Sequence, residues 1–461
     1  MSKSIGLTLL GCGTVGSGVM KILAEQAELL KRRTGLNLEL RHLVVRDLGK
    51  PRPVPANAKV STDLRDAIDA PDADIIVELI GGTGMAKAAI EHALKLGKPV
   101  VTANKSLLAA HGAELFALAR KHNTCIAFEA SCGGGIPIID ALTKGLIANR
   151  IDALVGIVNG TCNVILTQMT RSGWTYEHAL EAAKKAGFAE ADPTLDVSGR
   201  DAAQKLALLA SLAFNVNVLE GDIHVEGIDK IDATDINFAG ELGYVIKLLA
   251  IAERTCSRDA RVASSGAQHD GDTGVATTDR LALRVHPTLV HKTDVLAEVS
   301  GAFNAISVYG HALGHALFYG RGAGQMPTAS AVLSDIVGVA LGTIPQAFKQ
   351  LSIFPDTTPR ASVLPVAQLQ SRFYLRLMAR DVPGVLAEVT DALGRHKISV
   401  SAVRQHEPDD VGQFVPVIIT THRASEGSLR AALKEIDALN TIAPPSVCLR
   451  IVDQPKEFAA E

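Results

Sequence analysis

The chain of 461 residues is too long for a single compact core and predicts two or three domains; 47% hydrophobic and 21% charged residues are typical of a soluble globular protein. A net charge of −3 offers no basic surface for nucleic acid or an anionic membrane, so we expect a small-molecule partner. The six cysteines form no CxxC pair, no apolar run could span a bilayer, and the N-terminus lacks signal-peptide features, which predicts a cytoplasmic location.

The first predicted element is a strand, turn and helix in the stretch IGLTLLGCGTVGSGVMKIL. Its turn has the GxGxxG spacing of a dinucleotide-binding loop, although such turns also occur as plain connections. The glycines would allow a tight turn, the approach of a pyrophosphate and close packing of helix on strand, while the helix N-terminus would bind phosphate. The flanking elements favour a cofactor site, formed by Gly11, Gly13, Thr14, Val15 and Gly16.

Further short apolar strands alternate with helices up to about residue 137, which predicts an α/β domain with a doubly wound parallel sheet of Rossmann type. Ligands of such sheets bind at the carboxyl ends of the strands. Those ends carry Arg46, Lys105, Glu129 and Cys132. At the position of Arg46, NAD enzymes usually have Asp or Glu, whereas a guanidinium could bind a 2′-phosphate; NADP is therefore expected, with NAD possible as well.

The remainder of the chain predicts three further segments. Residues 138–320 mix helices with β-rich stretches and predict an α+β catalytic and dimerisation domain. A glycine turn at Gly322 then leads into a helix that would return residues 321–352 to the nucleotide crevice, so we expect Gly322 near the cofactor. Residues 353–370 predict a linker, in which a cut after Pro365 should sever only exposed backbone and leave the two N-terminal domains folded. Residues 371–461 have the βαββαβ order of a ferredoxin-like domain.

Two lysines stand out for their positions. Lys205 lies four residues after Asp201 in a helix rich in leucine and alanine, so both face the same side. The pair is either a surface ion pair or functional, and partial burial would favour function, because a desolvated lysine exchanges protons near neutral pH. Lys105 precedes Ser106, the expected N-cap of the next helix, where its positive charge is unfavourable for the helix dipole. Lys105 is thus either a functional residue or a flexible side chain in water.

Five motifs in chain order resemble one family, and a sixth resembles the C-terminal domain that some of its members carry. They are GCGTVG at 11–16, VVTANK at 100–105, FEASCGGGIPII at 128–139, NGTCN at 159–163, GFAEADPTLDVSGRDAAQK at 187–205 and RDVPGVLAEVTDALGRHKISV at 380–400. The chain resembles homoserine dehydrogenase along nearly its whole length, in the longer form with a C-terminal ACT domain. The resemblance implies the NAD(P)-dependent interconversion of L-homoserine and L-aspartate 4-semialdehyde, a step towards threonine, isoleucine and methionine.

The same resemblance implies the roles of individual residues. Lys205 would be the proton donor and acceptor at the substrate oxygen, and Lys105 would lie beside the nicotinamide and the substrate. Glu190 would bind the substrate's amino group, Asp201 would hold the substrate and Lys205 together, and Gly187 would contact the substrate through its backbone. A non-catalytic amino-acid sensor is the alternative, but the intact set of these side chains argues against it.

The glycine cluster after Cys132 allows two interpretations. A thiolate at a strand end would suit an acylating aldehyde dehydrogenase that passes through a thioester, but no histidine lies nearby as a base. The family resemblance instead implies a site for a monovalent cation, Na⁺ or K⁺. Glu129 would supply a carboxylate oxygen, and Cys132, Gly134 and Ile136 would supply carbonyl oxygens.

The C-terminal domain resembles ACT domains, which commonly pair edge to edge and bind amino acids. The resemblance implies feedback inhibition by L-threonine; the alternative is a dimerisation module without a ligand. We accordingly expect a homodimer or homotetramer.

Overall fold

The structure is a computed structural model that describes residues 3–255, 280–406 and 414–453; Cys256 lies outside these ranges. The strands are β1 (Lys3–Leu10), β2 (Leu36–Val44), β3 (Lys59–Ser61), β4 (Ile75–Glu78), β5 (Val100–Thr102), β6 (Ile126–Ala127), β7 (Ile151–Ile157), β8 (His224–Val225), β9 (Tyr244–Thr255), β10 (Arg280–His291), β11 (Phe303–Gly310), β12 (Gly314–Arg321), β13 (Gln370–Arg380), β14 (Val400–Gln405), β15 (Phe414–Thr421), β16 (Ala424–Ser425) and β17 (Ile442–Ile451). The helices are α1 (Thr14–Thr34), α2 (Leu64–Asp69), α3 (Met85–Lys95), α4 (Lys105–Lys121), α5 (Ile138–Asp140), α6 (Gly160–Ser172), α7 (Tyr176–Lys185), α8 (Thr194–Val197), α9 (Arg200–Phe214), α10 (Ala233–Glu241), α11 (Gln325–Ala340), α12 (Thr343–Gln350), α13 (Val385–Arg395) and α14 (Glu426–Ile436).

The N-terminal sheet has six strands in the order β3-β2-β1-β4-β5-β6, and every neighbouring pair is parallel. This is the strand order of dinucleotide-binding folds, with the order reversing between β1 and β4. β4 is buried along its whole length, because helices cover both faces of such a sheet. The predicted doubly wound parallel sheet is confirmed.

The chain forms two compact units. The first contains residues 1–154, 202–222 and 302–361, and the second contains 155–201, 223–301 and 362–461. The domain limits expected at residues 137, 320 and 370 remain a prediction. Within the first unit α11 packs closely on α1, because a Cβ at Gly18 would lie 2.7 Å from the carbonyl oxygen of Gln325.

The second unit contains the C-terminal ferredoxin-like fold. Its strands follow the order β17-β13-β15-β14, and its elements have the predicted βαββαβ order. The core between this sheet and the helices α13 and α14 is apolar and includes Phe373, Leu377, Val389 and Leu429. The sheet continues beyond β17, because β17 pairs in parallel with β10, which in turn pairs with β9 along twelve residues.

A cut after Pro365 would sever exposed backbone, as expected, but it would also remove β17 from the sheet. The bond from Leu364 N to the carbonyl oxygen of Leu281 on β10, at 2.8 Å, would remain, whereas Arg450 on β17, which forms ion pairs with the partly exposed Glu226 and the buried Glu426, would be lost. The cut would therefore unpair Thr288 and Leu289 of β10 and remove the arginine that neutralises Glu226, and the expectation that the N-terminal domains stay folded without the last domain remains a prediction.

Within the described ranges, no single helix is long and apolar enough to cross a membrane, although α11 and α12, bent by 78°, would pass that test as a pair.

Candidate active site

The glycine loop after β1 has three glycines with different surroundings. Gly11 has φ +98° and lies so close to the next strand end that a Cβ would approach the carbonyl oxygen of Leu79 to 2.7 Å. A Cβ at Gly16 would lie 2.5 Å from the carbonyl oxygen of Gly11, whereas a Cβ at Gly13 would meet nothing within 4 Å. Gly11 and Gly16 therefore allow the tight turn and the close packing, whereas Gly13 leaves an open face on the loop.

Helix α1 begins directly after this open face. Gly13 is its N-cap, no side chain caps it, and its first turn contains no acidic residue. The N–H groups of a first helical turn point out of the helix and favour an anion. Thr14 and Val15 lie in this turn, so the loop fits the pyrophosphate of a dinucleotide.

Arg46 lies exposed just beyond β2, where the ribose of a dinucleotide is recognised in this fold. The neighbouring Asp47 closes a turn, because its Oδ1 accepts a hydrogen bond from Gly49 N at 2.8 Å. One oxygen of the Asp47 carboxylate therefore already accepts a hydrogen bond from the backbone of its own loop.

Lys105 is the first residue of α4 and is half-buried. The structure corrects the predicted cap: Asn104 is the N-cap, and its Oδ1 accepts a hydrogen bond from Leu107 N at 3.1 Å. Ser106 instead donates to Gln204 Oε1 on α9 at 2.8 Å. This bond fixes the residue after Lys105 to the residue before Lys205.

The thiol of Cys132 is within range of the charges of both lysines. Its Sγ lies 3.9 Å from the carbonyl oxygen of Lys205, and the positive charges of Lys205 and Lys105 both act on the thiol. Lys205 is half-buried on α9. The structure thus brings the two predicted lysines to one region of the first unit.

The thiol of Cys132 is fully buried. Burial raises its pKa to about 12, despite the hydrogen bond from Ser131 and the two lysines, so the thiol is protonated at neutral pH. A nucleophilic cysteine must ionise readily. The structure argues against the thioester interpretation.

Glu129 is buried at the start of the glycine cluster. Its two carboxylate oxygens accept hydrogen bonds from Ile139 N at 2.9 Å and Asp140 N at 2.7 Å. Burial raises the pKa of this carboxyl to about 7, although the two N–H groups act in the opposite direction.

The glycine cluster itself packs against the segment that contains Gly322. A Cβ at Gly134, which has φ +57°, would lie 2.5 Å from the carbonyl carbon and oxygen of Gly322. Gly135 N donates to the carbonyl oxygen of Arg321 at 3.0 Å. Ile136 N bonds back to Gly133 O at 3.0 Å and closes the turn.

The second unit contains the predicted substrate residues Gly187, Glu190 and Asp201. Gly187, with φ +75°, and Glu190 are exposed. The segment between them is anchored to α6, because Thr161 Oγ1 donates to the carbonyl oxygen of Phe188 at 2.7 Å.

Asp201 is buried and accepts a hydrogen bond from Asn159 Nδ2 at 2.7 Å. The same amide nitrogen lies 2.7 Å from Asp196 Oδ1, and Asn159 Oδ1 caps α6. Asn159 has no role predicted from the sequence. A buried carboxylate such as that of Asp201 needs hydrogen-bond donors. Asn159 begins the NGTCN motif directly before α6, and this position was the feature of the sequence that could have indicated its role.

The parallel sheet, the open glycine loop and the two lysines define a dinucleotide-binding oxidoreductase. Three family models match the chain: homoserine dehydrogenase over residues 137–337, its NAD-binding domain over 11–129, and the ACT domain over 373–440. The homoserine dehydrogenase of Pseudomonas aeruginosa is 40% identical over 454 residues, which cover 97% of this chain and 99% of that protein. The chain belongs to the homoserine dehydrogenase family, whose members are oxidoreductases acting on CH–OH groups with a nicotinamide cofactor.

Further relatives support the assignment. The homoserine dehydrogenase of a Synechocystis species is 40% identical, with coverage of 98% of this chain and 100% of that protein. The crystal structure of a homoserine dehydrogenase from Thiobacillus denitrificans matches with a TM-score of 0.87 and 39% identity, covering 98% of this chain and 99% of that chain. A hyperthermophilic archaeal homoserine dehydrogenase in complex with NADPH matches with a TM-score of 0.58 and 25% identity, covering 73% of this chain and 98% of that chain.

Proposed function

We propose that the protein interconverts L-homoserine and L-aspartate 4-semialdehyde with Lys205 as the group that exchanges the proton at the substrate oxygen. The observation that carries the proposal is the shared environment of Lys105 and Lys205 around Cys132, in the unit that contains the glycine loop. The Ser106–Gln204 bond supports it, because it holds the two helix segments in register.

The chemistry needs a proton at one atom. When bound, the nicotinamide supplies or accepts the hydride. In the reducing direction the carbonyl oxygen gains negative charge, and the ammonium of Lys205 donates the proton that completes the hydroxyl. In the oxidising direction the neutral amine of Lys205 takes that proton back.

The remaining predicted residues have positioning and binding roles in this proposal. Lys105 lies at the cofactor edge and stabilises the developing charge. Asp201 stands one helical turn before Lys205 on α9, and its hydrogen bond from Asn159 supports an orienting role. Glu190 would bind the substrate's ammonium and Gly187 its polar groups through the backbone.

The test is homoserine-dependent reduction of NADP by the purified full-length protein. Lys205→Ala should lower kcat by about 100-fold or more while the affinity for NADPH stays within about threefold, because the lysine acts in the transition state. Lys21→Ala, which removes an exposed lysine of α1, is the matched control and should leave kcat unchanged. Near wild-type turnover of Lys205→Ala would refute the role.

We further propose a preference for NADP, supported by Arg46 beyond β2 and by the engagement of Asp47 in its own turn. Gly11, Gly13, Thr14, Val15 and Gly16 would hold the pyrophosphate, with Lys105 and Gly322 near the other parts of the cofactor.

A monovalent cation, Na⁺ or K⁺, is proposed at Glu129, with the carbonyl oxygens of Cys132, Gly134 and Ile136. Oxygen-only ligation suits a hard cation, and the burial of the Glu129 carboxylate supports the site. Among the described residues no group of three or more His, Cys, Asp or Glu side chains could hold a metal ion, which is compatible with a site made largely from backbone oxygens. Activity measured in NaCl, KCl and choline chloride at equal ionic strength tests this proposal; equal rates in all three would refute it.

The ACT domain is proposed to bind L-threonine and thereby to inhibit the enzyme. The enzyme would be a homodimer or homotetramer and would act in the biosynthesis of threonine, methionine and isoleucine. The helix α13 begins after Gly384 without a side-chain cap, which supports binding of an amino-acid carboxylate there. Rising homoserine should shift the threonine inhibition curve to a plateau if threonine binds a remote coupled site, but without limit if both compete at the active site. A shift that keeps growing in proportion to the homoserine concentration would therefore refute the ACT mechanism, and light scattering would give the oligomeric state.

The cytoplasmic location also stays a proposal. It is supported by the five cysteines within the described residues, all of which are free thiols, as a reducing compartment would leave them.

A further inference from the structure

Glu78, the last residue of β4, is a fully buried carboxylate that the function proposed above does not use. Its Oε1 accepts hydrogen bonds from Ile80 N at 2.8 Å and Gly81 N at 2.9 Å. Its Oε2 accepts the hydroxyl proton of Thr102, the last residue of β5, at 2.6 Å. The carboxylate is thus shared between the loop after β4 and the end of the neighbouring strand.

Thr102 connects the Glu78 carboxylate to the start of α4 through hydrogen bonds. Its Oγ1 accepts a hydrogen bond from Asn104 N at 3.0 Å, and Asn104 Nδ2 donates to the carbonyl oxygen of Gly82 at 2.7 Å. A hydroxyl has one proton, so a Thr102 that donates to Glu78 presents a lone pair to Asn104. These contacts form a closed ring of hydrogen bonds that runs from Glu78 through Thr102 and Asn104 to Gly82. The carboxylate of Glu78 therefore determines which groups donate and which accept in this ring.

This ring controls two features of the nucleotide edge. Gly81 and Gly82 have φ of +78° and +74°, and a Cβ at either position would meet nothing within 4 Å. They line an open, exposed face, as Gly13 does, and the carbonyl oxygen of the adjacent Leu79 lies against Gly11. At the other end of the ring, Asn104 caps the helix that begins with Lys105.

We propose that Glu78 is a positioning residue for the reaction: it fixes Lys105 through Thr102 and Asn104, and it holds the Gly81–Gly82 loop in the shape that receives the dinucleotide. This inference rests on the proposed function for the role of Lys105. The loop half of it depends only on cofactor binding.

The Thr102 substitutions test the first half. Thr102→Val is nearly isosteric but removes both hydrogen bonds of the hydroxyl, and it should lower kcat about tenfold while the dissociation constant of NADPH stays within about threefold. Thr102→Ser keeps the hydroxyl and should recover most of the turnover. A double-mutant cycle separates positioning from a merely structural role: in a Lys105→Ala background, Thr102→Val should change kcat less than twofold. A kcat of Thr102→Val within twofold of wild type, or the same tenfold loss in both backgrounds, overturns the positioning of Lys105.

Glu78 substitutions test the second half and provide an alternative if Thr102→Val does not fold. Glu78→Gln can still accept the two loop N–H groups through its amide oxygen, but it presents donors to Thr102, so it should reproduce the tenfold loss of kcat with little change in NADPH affinity. Glu78→Ala removes all three acceptor contacts and should also raise the NADPH dissociation constant about tenfold, measured by fluorescence titration of folded protein. Unchanged NADPH affinity in Glu78→Ala overturns the loop assignment. A wild-type protein without homoserine-dependent turnover would refute the proposed function instead, and the NADPH titrations would still decide the role of Glu78.

Discussion

Arg450 on β17 joins the ACT domain to the rest of the second unit, and its replacement by methionine should be strongly destabilising. The guanidinium is buried; its Nε donates to Glu426 Oε1 at 2.5 Å and its Nη2 donates to Glu226 Oε1 at 2.8 Å. Burial acts against this charge, but the hydrogen bonds from both carboxylates raise the pKa of Arg450 well above its usual value. Arg450 is thus charged throughout the accessible pH range.

The size of the effect follows from what methionine would leave behind. Glu426 is only 3% exposed and would lose its buried partner, and removing one member of a buried pair costs about 3–5 kcal/mol. The side chain of Glu226 is about one-third exposed and so contributes less, because water screens it. We therefore expect Arg450→Met to lower the free energy of unfolding by about 3–5 kcal/mol, nearly all of it from Glu426.

Urea unfolding monitored by circular dichroism gives the measurement. Arg430 is the matched control, because it is 55% exposed and contacts the same two carboxylates at 3.6 Å. Arg430→Met should cost less than about 1 kcal/mol. The double variant Arg450→Met/Glu426→Gln should recover part of the loss, since it removes the unpaired charge. A cost for Arg450→Met no larger than that for Arg430→Met would refute the reasoning.

Three further outcomes follow from the structure. Burial lowers the pKa of Lys247 to about 8, below the value of about 10.4 for an unfolded lysine, so its charge destabilises the fold below pH 8 and this cost disappears as the pH rises through that window. The stability of wild type relative to Lys247→Met should therefore rise by up to about 3 kcal/mol from pH 8 to 10.4, and a pH-independent difference in urea unfolding would contradict this. The buried, protonated thiol of Cys132 should resist iodoacetamide at pH 8 in the native protein, and mass spectrometry that finds it alkylated as fast as in unfolded chain would disprove its burial. Arg46→Ala should reduce the ratio of kcat/KM for NADP over NAD by about tenfold, roughly one charge-assisted contact, whereas an unchanged ratio removes Arg46 from the cofactor site.

The sequence predicted those parts of the fold that leave a local pattern. Alternating apolar strands and helices predicted the parallel sheet, and the βαββαβ order of the last domain was confirmed. The cap of α4 was assigned to Ser106 instead of Asn104, because both residue types cap helices and lie two positions apart.

Features made by distant residues could not be read from the sequence. Glu78 and Thr102 are 24 positions apart and meet only because β4 and β5 are neighbours. The pairing of β17 with β10 leaves no trace in periodicity, since an edge strand has the same alternation with or without a partner.

The pairing of β10 with β17 also has a consequence for protein synthesis. Thr288 and Leu289 lie opposite Arg450 and Ile451, so this part of the β10 edge leaves the ribosome 162 residues before the strand that covers it. At about 5–20 residues per second this edge waits roughly 10–30 s for its partner. During that interval the nascent chain presents open backbone donors and acceptors, to which a strand from another chain can add. The second unit therefore completes its sheet only after β17 has been synthesised, and its yield depends on what shields this part of β10 until then.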